Sequence, residues 1–465
     1  MKPHANADGL VFTATDPESA AAFSDLTTAY LGMRRNTGDL LGDLLARDPD
    51  MPMARCAQGY FAKLMGNDAH AKRANAISAD LDALLPKLNA TDRERRHAAA
   101  LAAWTRGELE EATSHWEDIL LEDPRDSLAL RLAHFTHFYS GDGRRIRDSM
   151  ARILPFWSDA QQDYGFVLGM YAFGLEESRE YAKAETFGRR AVERNPADAW
   201  SVHSVAHVLE MTGRVDEGIA WVKDLETDWS TVNNFRFHLH WHRCLFHLER
   251  GEFDDVLQLY DSQVVADIFS GFYVDICNAS SLLWRLEMFG VDVGDRWQTL
   301  AAVARAHVAD KEMIFVSLHY LMALVSAGDT QAADEMIETI RTWSKLDDTQ
   351  AKVCARVGLT LAEGLRDARN GNTAGAVEKI GRVRYCIDEI GGSTAQRDVF
   401  QMILLDAAAC GQNALQARAL YAERVGQKAH SSWSWHGYGS VLASLGDTAG
   451  ARSAEARATA LRVAS

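Results

Sequence analysis

Proline is the scarcest structural signal in this chain. There are 8 in 465 residues, and none follows Pro196. Proline removes a backbone donor and clashes inside a helix, so the long proline-free run suits near-continuous helix. Cysteine is also sparse. Cys56, Cys244, Cys277, Cys354, Cys386 and Cys410 are scattered and form no C-x-x-C pair. That pattern excludes a cysteine zinc site and reads as reduced, mostly buried thiols in a cytoplasmic protein. Positive charge is in deficit, with a net charge of −16, which argues against a nucleic-acid partner. The opening MKPHANADGL has no apolar signal core, and no apolar run is long enough to span a bilayer, so no membrane partner is expected. G-x-S-x-G, P-loop and G-x-G-x-x-G signatures are absent, which removes the commonest hydrolase and nucleotide-binding motifs.

What the chain does contain is helical periodicity. Residues 1–19 read as irregular, and helical patterning starts near Ala20 and runs through Leu45 to a break at Asp48-Pro49-Asp50. A helix pair covers about 52–65 and 68–88. From Asp92 a repeat becomes visible: a helix, Gly107 at a turn, a second helix carrying Ala112, and Asp123-Pro124 to close it. The plan returns with Ala184, Ala191 and Pro196, and then with turns at Gly213, Gly251, Gly290, Gly328, Gly371, Gly411 and Gly446. These last turns are about 35 to 43 residues apart, against roughly 34 in a tetratricopeptide (TPR) repeat. A hairpin with apolar residues on more than one face must stack against neighbours to bury them. The reading is an all-α, TPR-like α-solenoid of about ten helical hairpins, one domain over 20–465, clearest over 92–465. Repeats longer than consensus point to an elongated, closed or tightly wound superhelix rather than an open spiral. The Ala- and Arg-rich end is read as a capping hairpin.

Three stretches go beyond a generic repeat: HSVAHVLEMTGRVDEGIAWV, WHRCLFHLERGEFDDVLQLYD and SSLLWRLEMFGVDVGDRW. They resemble the tetratricopeptide repeat protein 38 family, over most of the chain from about residue 20. The resemblance marks His203, His207, Glu210, Trp241, His242, His247, Trp284, Arg285 and His319. His240 departs from it, the family having asparagine within HLHWH. The resemblance implies an all-helical repeat fold and carries no activity.

The segment Asp198–Asp261 concentrates His203, His207, His238, His240, His242 and His247. His203 and His207 are i, i+4, with Glu210 three residues on, so all three share a helical face. His238 and His242 are a second i, i+4 pair, while His240 and His247 point roughly the opposite way. Such a set suits an organic ligand, acid–base catalysis, or a metal, and equally suits histidines that only satisfy buried hydrogen bonds. The spacing is not that of H-E-x-x-H and no cysteine pair assists, so no metal and no cofactor are expected. Asp275, Asn278 and Arg285 share a face of the next inner helix, as a buried Asp–Arg pair or as groups for a ligand carboxylate or amide. His319 lies on another inner helix. Trp200, Trp241, Trp284, Trp433 and Trp435 add aromatic surface, for core or cavity. Arg93–His97 reads as a solvated helix start, and Cys244 and Cys277 as inert buried thiols.

The functional expectation is binding of a peptide segment or a small polar molecule on the concave inner surface. The alternative is a hydrolase or lyase whose His/Asp/Arg pocket lies inside the superhelix. Ligand-binding candidates are His203, His207, Glu210, His238, Trp241, His242, Asp275, Trp284, Arg285 and His319. Catalytic candidates are His203, His207 and His242, expected in one pocket with Asp275, Arg285 and His319 near its wall. A homo-oligomer is left open.

Overall fold

The computed structural model describes residues 1–463. The protein is 74% helical. Consecutive helices pair into twelve antiparallel hairpins, from Pro17–Leu31 with Thr37–Arg47 to Ser432–Ser444 with Thr448–Val463. That is slightly more than the glycine turns predict, because two pairs turn at a residue other than glycine, Met33 at φ 52° and Arg179 at φ 63°. Where the glycine is present, its reason is local: Gly213 sits at φ +71° and Gly251 at φ +76°, a region that side chains with a Cβ resist. Gly411 is the exception, with extended backbone at φ −80°, ψ 174°.

The two helices of a hairpin are unequal. Ala199–Met211 is buried from Ala199 through Leu209, whereas Tyr181–Arg194 buries only Ala184, Gly188, Ala191 and Val192. The first helices of the central hairpins, such as Ala199–Met211 and Ile314–Ser326, are thus walled in almost entirely, and their second helices form the outer shell. Polar residues on a first helix must therefore find partners inside the protein.

The superhelix closes on itself. Leu109 N donates to Thr349 Oγ1 at 3.1 Å, Thr394 N to Glu177 at 2.9 Å, and Ser432 N to Glu249 at 2.9 Å. Early repeats meet repeats some two hundred residues later, so the inner surface is covered on several sides. The apolar core falls into two large bodies that meet along Phe235–Arg250. Leu239 and Phe246 pack into the N-terminal body, and Trp241 and Leu245 into the C-terminal one.

The N-terminus corrects the sequence reading. Lys2–Ala5 and Val11–Ala14 form an antiparallel hairpin, and the first helix starts at Pro17, capped by Asp16. Asp8-Gly9 in the turn is the signal that was available. The hairpin's outer edge is occupied by carboxylates: Thr13 N donates to Glu94 and Thr15 N to Asp48, both at 2.7 Å. Arg93–His97 is likewise not a solvated helix start. Arg93 and His97 are buried and both contact Asp126, at 2.6 and 3.0 Å.

Candidate functional site

The 199–211 and 235–250 helices stand side by side, and their i, i+4 histidine pairs face each other at the seam between the two cores. His203, His207, His238 and His242 are all at most 3% exposed. His203 Nε2 lies 2.9 Å from His207 Nε2 and 3.1 Å from His238 Nε2. One nitrogen from each of the four rings falls within 4.8 Å of the others.

The opposite ring nitrogens face outward to acceptors. His238 Nδ1 is 2.8 Å from Asn278 Oδ1, and His242 Nδ1 is 3.3 Å from Glu210 Oε2. His207 Nδ1 lies 3.4 Å from Glu176 Oε2, without the alignment of a full hydrogen bond. His203 Nδ1 and His242 Nε2 are buried with no partner. Burial, reinforced by the neighbouring imidazoles, holds His203, His238 and His242 well below the ordinary histidine range. Burial lowers His207 as well, against the pull of Glu177 and Glu210. The four rings are therefore neutral at pH 7. Burial and the Glu210 charge push Glu176 up to about 8.

His203 and His238 also form part of the wall of a cavity of about 380 Å³ that opens to solvent beside Arg34, Arg35 and Gly38. Its lining is mostly apolar, with Phe61, Met65, Phe138, Met313 and Phe315 around it. One charged side chain is buried in this wall. Arg131 is 2% exposed, and its guanidinium lies between the rings of Phe135 and Trp200, at 4.3 and 4.4 Å. Its Nε has no hydrogen-bond partner, and no carboxylate reaches ion-pair distance among the described residues. Asp198, the acid whose charge it feels, caps its own helix through Trp200 N and Ser201 N. Burial lowers the Arg131 pKa, offset in part by Tyr30 and Asp198.

The remaining predicted residues divide. Glu210 and Trp241 belong to the cluster's surroundings, Trp241 stacking on His238 at 5.1 Å. Asp275 does not join it and does not pair with Arg285. Ten residues apart on one helix, they are about 15 Å apart along its axis. Asp275 accepts from Asn234 Nδ2 at 2.9 Å, and burial raises it to about 7. Arg285 donates to the carbonyls of Ser281 and Ala395. Trp284 packs under Arg369. His319 hydrogen-bonds the Phe315 carbonyl at 2.8 Å and packs on Phe400. His240 packs on Trp229, and His247 pairs with Glu252 at 2.6 Å. The sequence argument against metal rested on the lack of a cysteine pair and of a recognised ligand spacing; the four rings come together as two i, i+4 pairs from neighbouring helices. Sequence reasoning missed Arg131 and Glu176: each sits in an ordinary-looking helix, and only tertiary packing shows that it is buried.

Fold and site together define an all-α, TPR-like repeat protein whose closed superhelix surrounds a cavity. No family model matches the chain. Among solved structures it is similar to the human IFIT1 dimer with PPP-AAAA (14% identity, 96% of this chain and 87% of that chain, TM-score 0.35). It is also similar to the P58(IPK) TPR domain (11% identity, 79% and 92%, TM-score 0.22). At these scores the superhelices do not superpose closely, and nothing about ligands is carried over from them.

Proposed function

We propose that the protein is a binding protein for a small organic anion with an apolar body, held inside the closed superhelix. The observation that carries this reading is Arg131, a buried cation without a carboxylate partner on the wall of a mostly apolar cavity, with Arg34 and Arg35 exposed at its mouth. A buried charge without a counter-ion is costly, and a ligand carboxylate or phosphate would supply charge-assisted hydrogen bonds there. The cavity lies in the size range of small-molecule sites. Its volume of about 380 Å³ fits a small molecule better than an extended peptide segment. Acid–base catalysis by His203, His207 or His242 is also disfavoured, because burial moves those rings away from the near-neutral pKa that such work needs. Membership of the tetratricopeptide repeat protein 38 family is part of this proposal, supported by the motifs that hold His203, His207 and His242.

The test is displacement of a fluorescent probe, 1-anilinonaphthalene-8-sulfonate, from the full-length protein. Decanoate should displace it and decanol should not, and Arg131→Met should weaken decanoate binding roughly 10- to 100-fold, the loss of one charged hydrogen bond. Equal competition by decanol, or unchanged decanoate affinity in Arg131→Met, overturns the reading.

A further inference from the structure

The histidine cluster carries an inference that does not depend on the cavity ligand. We propose that His203, His207, His238 and His242 form a closed four-imidazole site for one divalent transition-metal ion, with zinc the best match. Its role is structural, tying the two cores together at their seam.

The argument starts from protons. In a neutral imidazole one nitrogen carries hydrogen and the other a lone pair. His238 Nδ1 faces the Asn278 oxygen and His242 Nδ1 faces the Glu210 carboxylate, so each gives its hydrogen outward. Their Nε2 lone pairs then point into the cluster. His203 Nε2 approaches two other Nε2 atoms, at 2.9 and 3.1 Å. A ring nitrogen directs either one N–H or one lone pair, so no placement of protons gives both contacts a well-aligned hydrogen bond. His242 Nε2 is buried without any partner. A single cation at the centre would satisfy all four nitrogens at once.

Geometry and surroundings agree. Ligands at 2.0–2.1 Å in a tetrahedron stand about 3.3 Å apart, close to the two His203 contacts at 2.9 and 3.1 Å, and all four nitrogens lie within 4.8 Å of one another. Two i, i+4 pairs on adjacent helices supply the four corners. The outward partners Asn278, Glu210 and Glu176 occupy the place where metal-bound histidines place their orienting acceptors. Four protein ligands leave no open position, which is the arrangement of structural rather than catalytic zinc. Imidazole ligands in a tetrahedral set favour zinc over the square-planar preference of copper(II) and nickel(II).

Full-length protein without a polyhistidine tag, purified without chelator, should contain about one equivalent of zinc by elemental analysis. After chelator treatment, cobalt(II) should restore visible absorption bands of a four-coordinate nitrogen site. His203→Gln and His242→Gln should each abolish stoichiometric binding, whereas His240→Gln and His247→Gln, on the same helix but outside the cluster, should keep it. Asn278→Ala and Glu210→Gln, as positioning changes, should lower affinity roughly 10- to 100-fold. If a cluster variant fails to fold, the metal-free wild type decides: saturating zinc must raise its Tm. A Tm unmoved by both zinc and cobalt, or stoichiometric metal retained by His203→Gln and His242→Gln, overturns the proposal.

Discussion

The protein contains two buried constellations of histidine with charged or polar neighbours, and they are built on opposite terms. Around Asp126 every partner is present. His97 Nε2 and Arg93 Nη1 meet its Oδ2 at 3.0 and 2.6 Å, Ala129 N meets its Oδ1 at 2.9 Å, and His97 Nδ1 is 3.2 Å from the Tyr60 hydroxyl. Burial would push the Asp126 carboxyl up, yet His97 and Arg93 outweigh it and hold it far below the usual range. Around His203 the nitrogens face one another instead, and several have no partner. The same contrast separates two buried arginines. Arg424 holds Asp398 with both terminal nitrogens, while Arg131 has only aromatic faces. A satisfied network needs nothing from outside and reads as architecture. An unsatisfied one, in a protein otherwise well packed, reads as a place prepared for something else.

The sharpest way to break this comparison is to remove the hub of the satisfied network. Asp126→Ala leaves the Arg93 charge buried alone and should cost about 3–5 kcal/mol, measured by urea denaturation. If Asp126→Ala costs less than His203→Gln in metal-free protein, the two constellations do not differ as argued. Next in size is the pH dependence of the histidine cluster. The folded pKa values are depressed, so the folded rings stay neutral while the unfolded chain takes up protons below about pH 6.5. The stability they contribute is present above that pH and is lost as pH falls. Each ring contributes up to about 1.4 kcal/mol per pH unit. His203→Gln in metal-free protein should flatten the slope between pH 6.5 and 5 by about that amount. An unchanged slope would mean that His203 titrates normally in the fold.

Two further substitutions sharpen the arginine contrast. Arg131→Met should leave stability unchanged or raise it by about 1 kcal/mol, because it removes a buried charge that has no counter-ion in the protein. Arg424→Met breaks a bidentate pair and should destabilise by about 3 kcal/mol. Thermal melts of the two variants side by side decide this, and equal losses would erase the distinction. The smallest effect is expected at His247. Its partner Glu252 is about a third exposed, so His247→Gln should cost no more than about 1 kcal/mol and leave metal content and probe binding unchanged.

Much of the fold was legible in the chain. Glycine turns and 3.6-residue periodicity mark the hairpins from Asp92 onward because helix geometry is local, set by residues three and four apart. Of the N-terminal strands only the Asp8-Gly9 turn was legible, since four-residue strands carry little periodicity and theirs depend on carboxylates at Asp48 and Glu94. The pairing of His203 with His207 and of His238 with His242 was readable as spacing. That the four rings meet, and that Asp275, Trp284 and His319 lie elsewhere, was not.

Sequence alone determined that this is an all-helical repeat array, which first helices are apolar enough to be inner, and that histidines concentrate on two of them. Those properties follow from composition and short-range spacing. Tertiary structure alone decided the rest. Closure of the superhelix turns a concave face into a deep cavity with one open side. Burial strips Arg131 of solvent without giving it a counter-ion. Adjacent packing of the 199–211 and 235–250 helices brings four imidazole nitrogens within 4.8 Å of one another. Each depends on how far successive hairpins rotate. That angle comes from many small packing contacts between repeats, and no local stretch of sequence encodes it.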